Sequence, residues 1–133
     1  MAFLITKPLS EQQTETKNEI DYIAGQKRLQ YITNGPGQEL TYSAKLADAR
    51  AYILAGYPTD VTPYHWVSAE AGATGATPTQ VADFIVYTGH TWETVGSQIE
   101  GARQAAKIAV NAATSVTEIR TALANFKDTL ANI

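Results

Sequence analysis

The chain has no cysteine among its 133 residues. That excludes disulfides, cysteine-ligated zinc and thiol nucleophiles. Histidine is scarce too: His65 and His90 are the only two, which removes most metal constellations built on imidazole. The apolar run in the opening MAFLITKPL is about five residues long, against the roughly 20 needed to span a bilayer. A signal peptide would place positive charge before that run, whereas Lys7 follows it. Neither membrane insertion nor a targeting segment is expected. Cations are also few. Ten Lys and Arg face thirteen Asp and Glu, for a formal charge of -3, so no basic excess exists to neutralise phosphates and no nucleic-acid partner is expected. Charged residues make up 17% and hydrophobic residues 44%, which argues for a folded chain.

Signatures of catalysis are missing as well. The sequence has no GxSxG, HExxH, P-loop or GxGxxG. Gly35-Pro36-Gly37 reads as a turn, because the proline lacks a donor that a phosphate cradle needs. His90 and Glu93 share a helical spacing that metal ligands use, but no second such motif accompanies them. His65 reads as a partly buried polar residue. No catalytic, cofactor-binding or metal-binding residue is nominated, and an enzyme is not expected.

What is present is helical periodicity. The first helix starts after Pro8, with Ser10 and Gln13 as a capping box, and runs to about Thr33. Asn34 to Gly37 is a stop and turn. A second helix covers about Gln38 to Ala55, with Leu40, Ala44, Ala47, Ala51 and Leu54 on one stripe and Tyr42, Leu46 and Ile53 widening it. Gly56 follows as its left-handed stop. Thr62 and Pro63 open a short third helix to about Ala71, ended by Gly72 and Gly75. Thr77 and Gln80 form another capping box.

The fourth helix dominates. Val81, Ile85, Thr88, Trp92, Val95, Ile99, Ala102, Ala106, Ala109 and Ala113 alternate four and three without a break. Large residues, including Phe84, Ile85, Trp92 and Ile99, occupy the first half, and alanines the second. Gly89 marks a place for a kink. After a short connection, Ser115 and Glu118 cap a last helix in which Val116, Ile119, Leu123, Phe126 and Leu130 keep the same period. Two helices joined so briefly must run antiparallel, with the large residues of the last filling space over the alanines. The expected fold is an all-α small helical bundle. It has one long helix (about 78–113) packed against an antiparallel C-terminal helix, and an extended N-terminal arm. Residues 1–9 form the arm and 10–133 a single helical domain.

Candidate interaction residues fall in two places. In the arm, Phe3, Leu4 and Ile5 suit docking on a neighbouring chain as an added strand; an ordinary terminus is the alternative. Tyr57, Tyr64 and Trp66 cluster near the short helix. Their ring-plus-polar-tip chemistry suits a protein interface or sugar stacking, and equally the corner of a small core. No Lys or Arg occurs between Arg50 and Arg103, a stretch carrying Asp60, Glu70, Asp83, Glu93 and Glu100. An acidic face toward a basic partner and a solvated helix face are the two readings.

Three stretches carry a family resemblance: YITNGPGQELTYSAKLADARAY (31–52), AEAGATGATPTQVADFIV (69–86) and WETVGSQIEGARQAAKIAVNAAT (92–114). Together they resemble small proteins and C-terminal segments encoded by tailed bacteriophages and prophages, commonly close to tail-fibre genes. The resemblance covers about residues 20–130. It implies a non-catalytic structural component of the phage tail, associated with fibre or baseplate, in the virion after synthesis in the host cytoplasm. The apolar arm and the long heptad stripe of the fourth helix suit docking and self-association as a homo-oligomer, although a bundle within one chain would use the same stripe. The alternative that the resemblance implies is a tail-fibre assembly chaperone not retained in the particle. No cofactor and no particular functional residue is implied.

Overall fold

Thr77 and Gln80 start the longest helix by satisfying each other: the Gln80 amide donates to Thr77 Oγ1 and the Thr77 amide to Gln80 Oε1, each at 3.1 Å. Such reciprocal caps tie down two donors that the first turn of a helix leaves orphaned. The computed structural model describes residues 7–32 and 38–133. Its helices are α1 (Leu9–Arg28), α2 (Gln38–Leu54), α3 (His65–Thr74), α4 (Pro78–Ala112) and α5 (Val116–Ala131), with no strand among the described residues. The fold is therefore all-α. Residues 1–6 of the expected arm, with Phe3, Leu4 and Ile5, and the expected Asn34–Gly37 turn lie outside the described residues. Leu9 opens α1 instead of ending the arm.

The chain divides into two compact units. One holds the segment up to Ile32 together with Val95–Ile133, and the other holds Thr33–Thr94. The first, the terminal unit, consists of α1, the second half of α4 and α5. Its core joins Ile20, Ala24, Ile99, Ala106, Val110, Ala122, Phe126 and Leu130. Phe126 and Leu130 bury their bulk in the same core as Ala106, as small residues opposite large ones require. Each buried side chain of the Ile or Phe kind contributes about 1.5–3 kcal/mol. α1 completes this core through Ile20 and Ala24, both fully buried.

Polar pairs set the register of α1 on α4. Arg28 reaches Glu100 at 3.0 Å, Arg103 reaches Asp21 at 2.8 Å, and Lys107 reaches the same Asp21 at 3.0 Å. Rising numbers on α1 meet falling numbers on α4, so the two run antiparallel. Pairs this exposed add little energy each, but their spacing selects one alignment. At the far end the Gln13 side-chain amide donates to the carbonyls of Val110 and Ala113, each at 3.1 Å. Those carbonyls sit at the α4 C-terminus, where four acceptors lack helical partners. The expected Ser10–Gln13 capping box is thus replaced: Pro8 is the N-cap of α1, without a side-chain cap, and Gln13 serves another helix.

Ser115 caps α5 as expected, accepting from the Glu118 amide at 3.2 Å. Glu118 returns to Thr114 rather than Ser115, taking the Thr114 amide at 2.6 Å and its hydroxyl at 3.1 Å. The stop between α4 and α5 spans only residues 113–115, and both helices bury residues in one core, so the chain doubles back as expected.

The α4 stripe departs from expectation at two places. Thr88 and Ala109 are exposed, and Val110 is fully buried. A strict 3.5-residue repeat drifts about 20° per heptad on a 3.6-residue helix. Within the terminal unit, counted from Ile99 at about 100° per residue, Ala109 stands about 80° round the helix and Val110 about 20°, so Val110 takes the buried position.

The second, inserted unit contains α2, α3 and the first half of α4. Its core is Ala49, Tyr52, Val67, Val81, Ala82 and Ile85, flanked by Leu46, Ile53, Val61 and Tyr64. Here α2 turns a different side inward from the one expected. Leu40 and Leu54 are 78% and 90% exposed, and Ala47 and Ala51 also face solvent. The face roughly opposite on the helical wheel carries Leu46, Ala49, Tyr52 and Ile53. Larger side chains remove more apolar area from water, so that face outcompetes an alanine stripe. Gly89 lies where an added Cβ would stand 2.6 Å from Leu46 Cδ1, so it serves close approach of the α2 side chain.

Candidate functional site

The aromatic corner is built by the end of α2. The Tyr57 amide donates to Tyr52 O and the Gly56 amide to Ile53 O, the paired bonds of a Schellman stop. Gly56 takes the left-handed conformation at φ 86, as expected, and Tyr57 follows at φ 55, where a side chain is strained. Two contacts hold it there. Its ring stands edge-on to Tyr52 with centroids 5.7 Å apart, and its hydroxyl donates to Asp83 Oδ1 at 2.7 Å. The hydrogen bond to the Asp83 carboxylate raises the Tyr57 pKa above its ordinary value. Tyr64 packs edge-on to the other side of Tyr52 at 5.2 Å. Tyr52 is therefore the hub, and Tyr57 and Tyr64 meet only through it. Of the two readings open for these tyrosines, Tyr64 belongs to the core corner. Tyr57 keeps 40% of its surface exposed.

Trp66 does not join that ring chain. It is 41% exposed on α3, beside Val67, which is fully buried. The start of α3 also differs from expectation. Thr62 and Pro63 form a turn ahead of it, and Tyr64 is the N-cap without a side-chain bond. The missing cap comes from α2: Asp48 Oδ2 accepts the Val67 amide at 2.9 Å. A carboxylate at this end also complements the helix dipole. Gly72 lies inside α3, and Gly75 alone supplies the left-handed stop at φ 77. His65, the first residue of α3, is exposed rather than partly buried.

The outward side of α4 in this unit adds residues not nominated from sequence. Phe84 is 66% and Tyr87 72% exposed. Phe84, grouped by sequence with the large residues of the first half, turns away from the buried Val81, Ala82 and Ile85. The signal was available: Phe84 and Tyr87 are three apart and both off the 81–85–88–92 stripe. Asp83 joins them on that side and links them to Tyr57.

Charge separates the two units. The inserted unit holds six carboxylates and two cations, and the terminal unit seven and eight. Both cations of the inserted unit are engaged, Lys45 with Glu70 at 2.7 Å and Arg50 with Glu93 at 2.8 Å. Glu93 is thereby committed to an ion pair beside the exposed His90. Among the described residues no group of three or more His, Asp or Glu is placed to hold a metal ion. No helix among them is long and apolar enough to cross a membrane. What this surface offers chemically is stacking area beside a carboxylate.

No family model, curated protein or solved structure matches the chain.

Proposed function

We propose that the protein is a structural component of a bacteriophage tail, associated with fibre or baseplate, and that it works through its surfaces without catalysing a reaction. The observation that supports a docking role is the set of large apolar side chains left in solvent on the inserted unit: Leu40, Leu54, Tyr57, Trp66, Phe84 and Tyr87. Single exposed residues of this kind are routine on a monomer, but Phe84 and Tyr87 sit three apart on one helix side, with Tyr57 bonded to the adjacent Asp83, and grouped apolar residues mark interaction sites. The tail setting comes from the resemblance over about residues 20–130. Self-association is part of the proposal, with other tail proteins as further partners.

Quantitative mass spectrometry of particles purified from the encoding phage tests this. The expected result is the chain present in fixed ratio to the fibre protein. Absence from particles, with abundance in infected cells, overturns the virion role and points to the assembly chaperone. Light scattering after size exclusion reports self-association, and a clean monomer at high concentration removes that part.

A further inference from the structure

We infer that the outward face of the first half of α4, made by Asp83, Phe84 and Tyr87 with Tyr57, docks an arginine-bearing segment of another polypeptide. This deepens the docking role proposed above and rests on it only in supposing that the protein acts by its surfaces.

The face is built from one helix and one loop. Phe84 and Tyr87, three residues apart, lie side by side on a helical surface. Their exposures of 66% and 72% leave most of both rings available. Asp83 precedes them and Tyr87 follows it by one turn. Tyr57, held edge-on against Tyr52 and bonded to Asp83 Oδ1 at 2.7 Å, borders the carboxylate on the loop side. That bond engages Oδ1, on a residue that is exposed as a whole. Thr91 continues the face one turn on, with its hydroxyl donated to Tyr87 O at 3.1 Å.

Charge identifies the occupant. The inserted unit carries six carboxylates against two cations, and Asp83 is the carboxylate on this face. The two cations elsewhere in the inserted unit are tied to Glu70 and Glu93. Two copies meeting through this face would bring Asp83 against Asp83 with no cation of the face between them, which opposes a symmetric dimer here. An arginine meets every feature at once. Its planar guanidinium stacks on an aromatic ring and presents a two-pronged donor to a carboxylate. Lysine offers the charge without the planar fork.

Fluorescence anisotropy with a labelled hexa-arginine peptide tests the inference. Hexa-lysine and hexa-glutamate peptides are the comparisons, at low and at physiological salt. The variants are Asp83→Asn and the double substitution Phe84→Ala with Tyr87→Ala. These are exposed positions, and circular dichroism checks that the helix content is retained. The expected result is hexa-arginine binding several-fold tighter than hexa-lysine, with hexa-glutamate not binding. The double variant should weaken it about fivefold to tenfold at fixed salt, and Asp83→Asn should flatten its salt dependence. Equal binding by the double variant would reduce the effect to diffuse acidity and overturn the inference, as would no binding. Self-association abolished by the double variant would assign the face to a second copy and overturn it too. Particle mass spectrometry reads the tail setting independently of all these outcomes.

Discussion

Gly89→Ala should be nearly neutral or destabilising in the native chain and stabilising once Leu46 is truncated. Alanine in place of glycine inside a helix is worth about 1 kcal/mol from propensity alone. At Gly89 a new Cβ would stand 2.6 Å from Leu46 Cδ1, 3.0 Å from Cδ2 and 3.4 Å from Cγ. Those atoms are the end of a flexible side chain, so Leu46 must rotate away. An off-rotamer side chain costs about 0.5–1.5 kcal/mol, and Leu46 also packs against the core of the inserted unit. The two effects are similar in size and opposite in sign. In a Leu46→Ala background the clash disappears and the propensity gain remains. The coupling energy between the two substitutions should therefore be about 1 kcal/mol. Both tryptophans, Trp66 and Trp92, lie in the inserted unit. Urea unfolding followed by tryptophan fluorescence thus reports the unit concerned. A Gly89→Ala gain of the same size in both backgrounds would refute the close approach of Leu46.

Gly101 supplies the control within the same helix: no atom lies within 4 Å of an added Cβ. Gly101→Ala should raise stability by about 0.5–1 kcal/mol, read as a higher midpoint in circular dichroism. Asp21→Asn should remove an acid-sensitive part of stability. Burial pushes the Asp21 carboxyl upward, but hydrogen bonds from Lys107 and Arg103, with their charges, outweigh it and hold the pKa below its ordinary 3.8. Because the folded value is the lower one, the unfolded chain binds more protons. The contribution is full above pH 3.8 and is lost as pH falls through the folded value. The side chain is 41% exposed, so after solvent screening the loss at neutral pH is about 0.5–1 kcal/mol. Stability against pH should converge for the two proteins below that range, and parallel curves would refute the assignment.

Legibility from sequence followed the range of the interactions. The helices between Gln38 and Ala131 were readable because their signals are local. Thr77 with Gln80, and Ser115 with Glu118, sit three residues apart, and Gly56 meets its partners within one turn. The Thr77–Gln80 box and the Ser115 cap make the bonds assigned to them, and Gly56 takes its left-handed turn, while Glu118 bonds Thr114 in place of Ser115. Where a cap comes from a distant element, local reading failed. Gln13 bonds carbonyls about a hundred positions away, and Asp48 caps a helix from nineteen positions back. A capping box at Ser10 and a threonine cap at Thr62 were reasonable from spacing, and tertiary structure supplied other partners. The inward face of α2 was misread for a related reason. Periodicity alone ranks an alanine stripe and a leucine–tyrosine stripe equally, whereas burial favours the larger area.

The candidate surface shows the same limit from its other side. Tyr57 was nominated from residue type, and its backbone strain and its bond to Asp83 depend on packing that no spacing rule reports. Tyr64 was nominated on the same grounds and belongs to the core. Type alone cannot separate them, because a tyrosine suits both a wet rim and a core corner. What separates them is whether the residue bonds an exposed carboxylate or packs into the core. Tyr57 has Asp83 at its hydroxyl, which anchors the ring at the boundary with solvent. Tyr64 shares the edge-on contact with Tyr52 but packs against the core of the inserted unit as well. The docking face on α4 follows from that division, since Asp83 links the anchored Tyr57 to a helix side whose own aromatics were left outside every stripe. An acidic sequence stretch and two off-stripe rings were each visible alone. Helical spacing sets Asp83, Phe84 and Tyr87 on one side, and the fold leaves that side in solvent and brings Tyr57 to its carboxylate, where a single cationic side chain can use both.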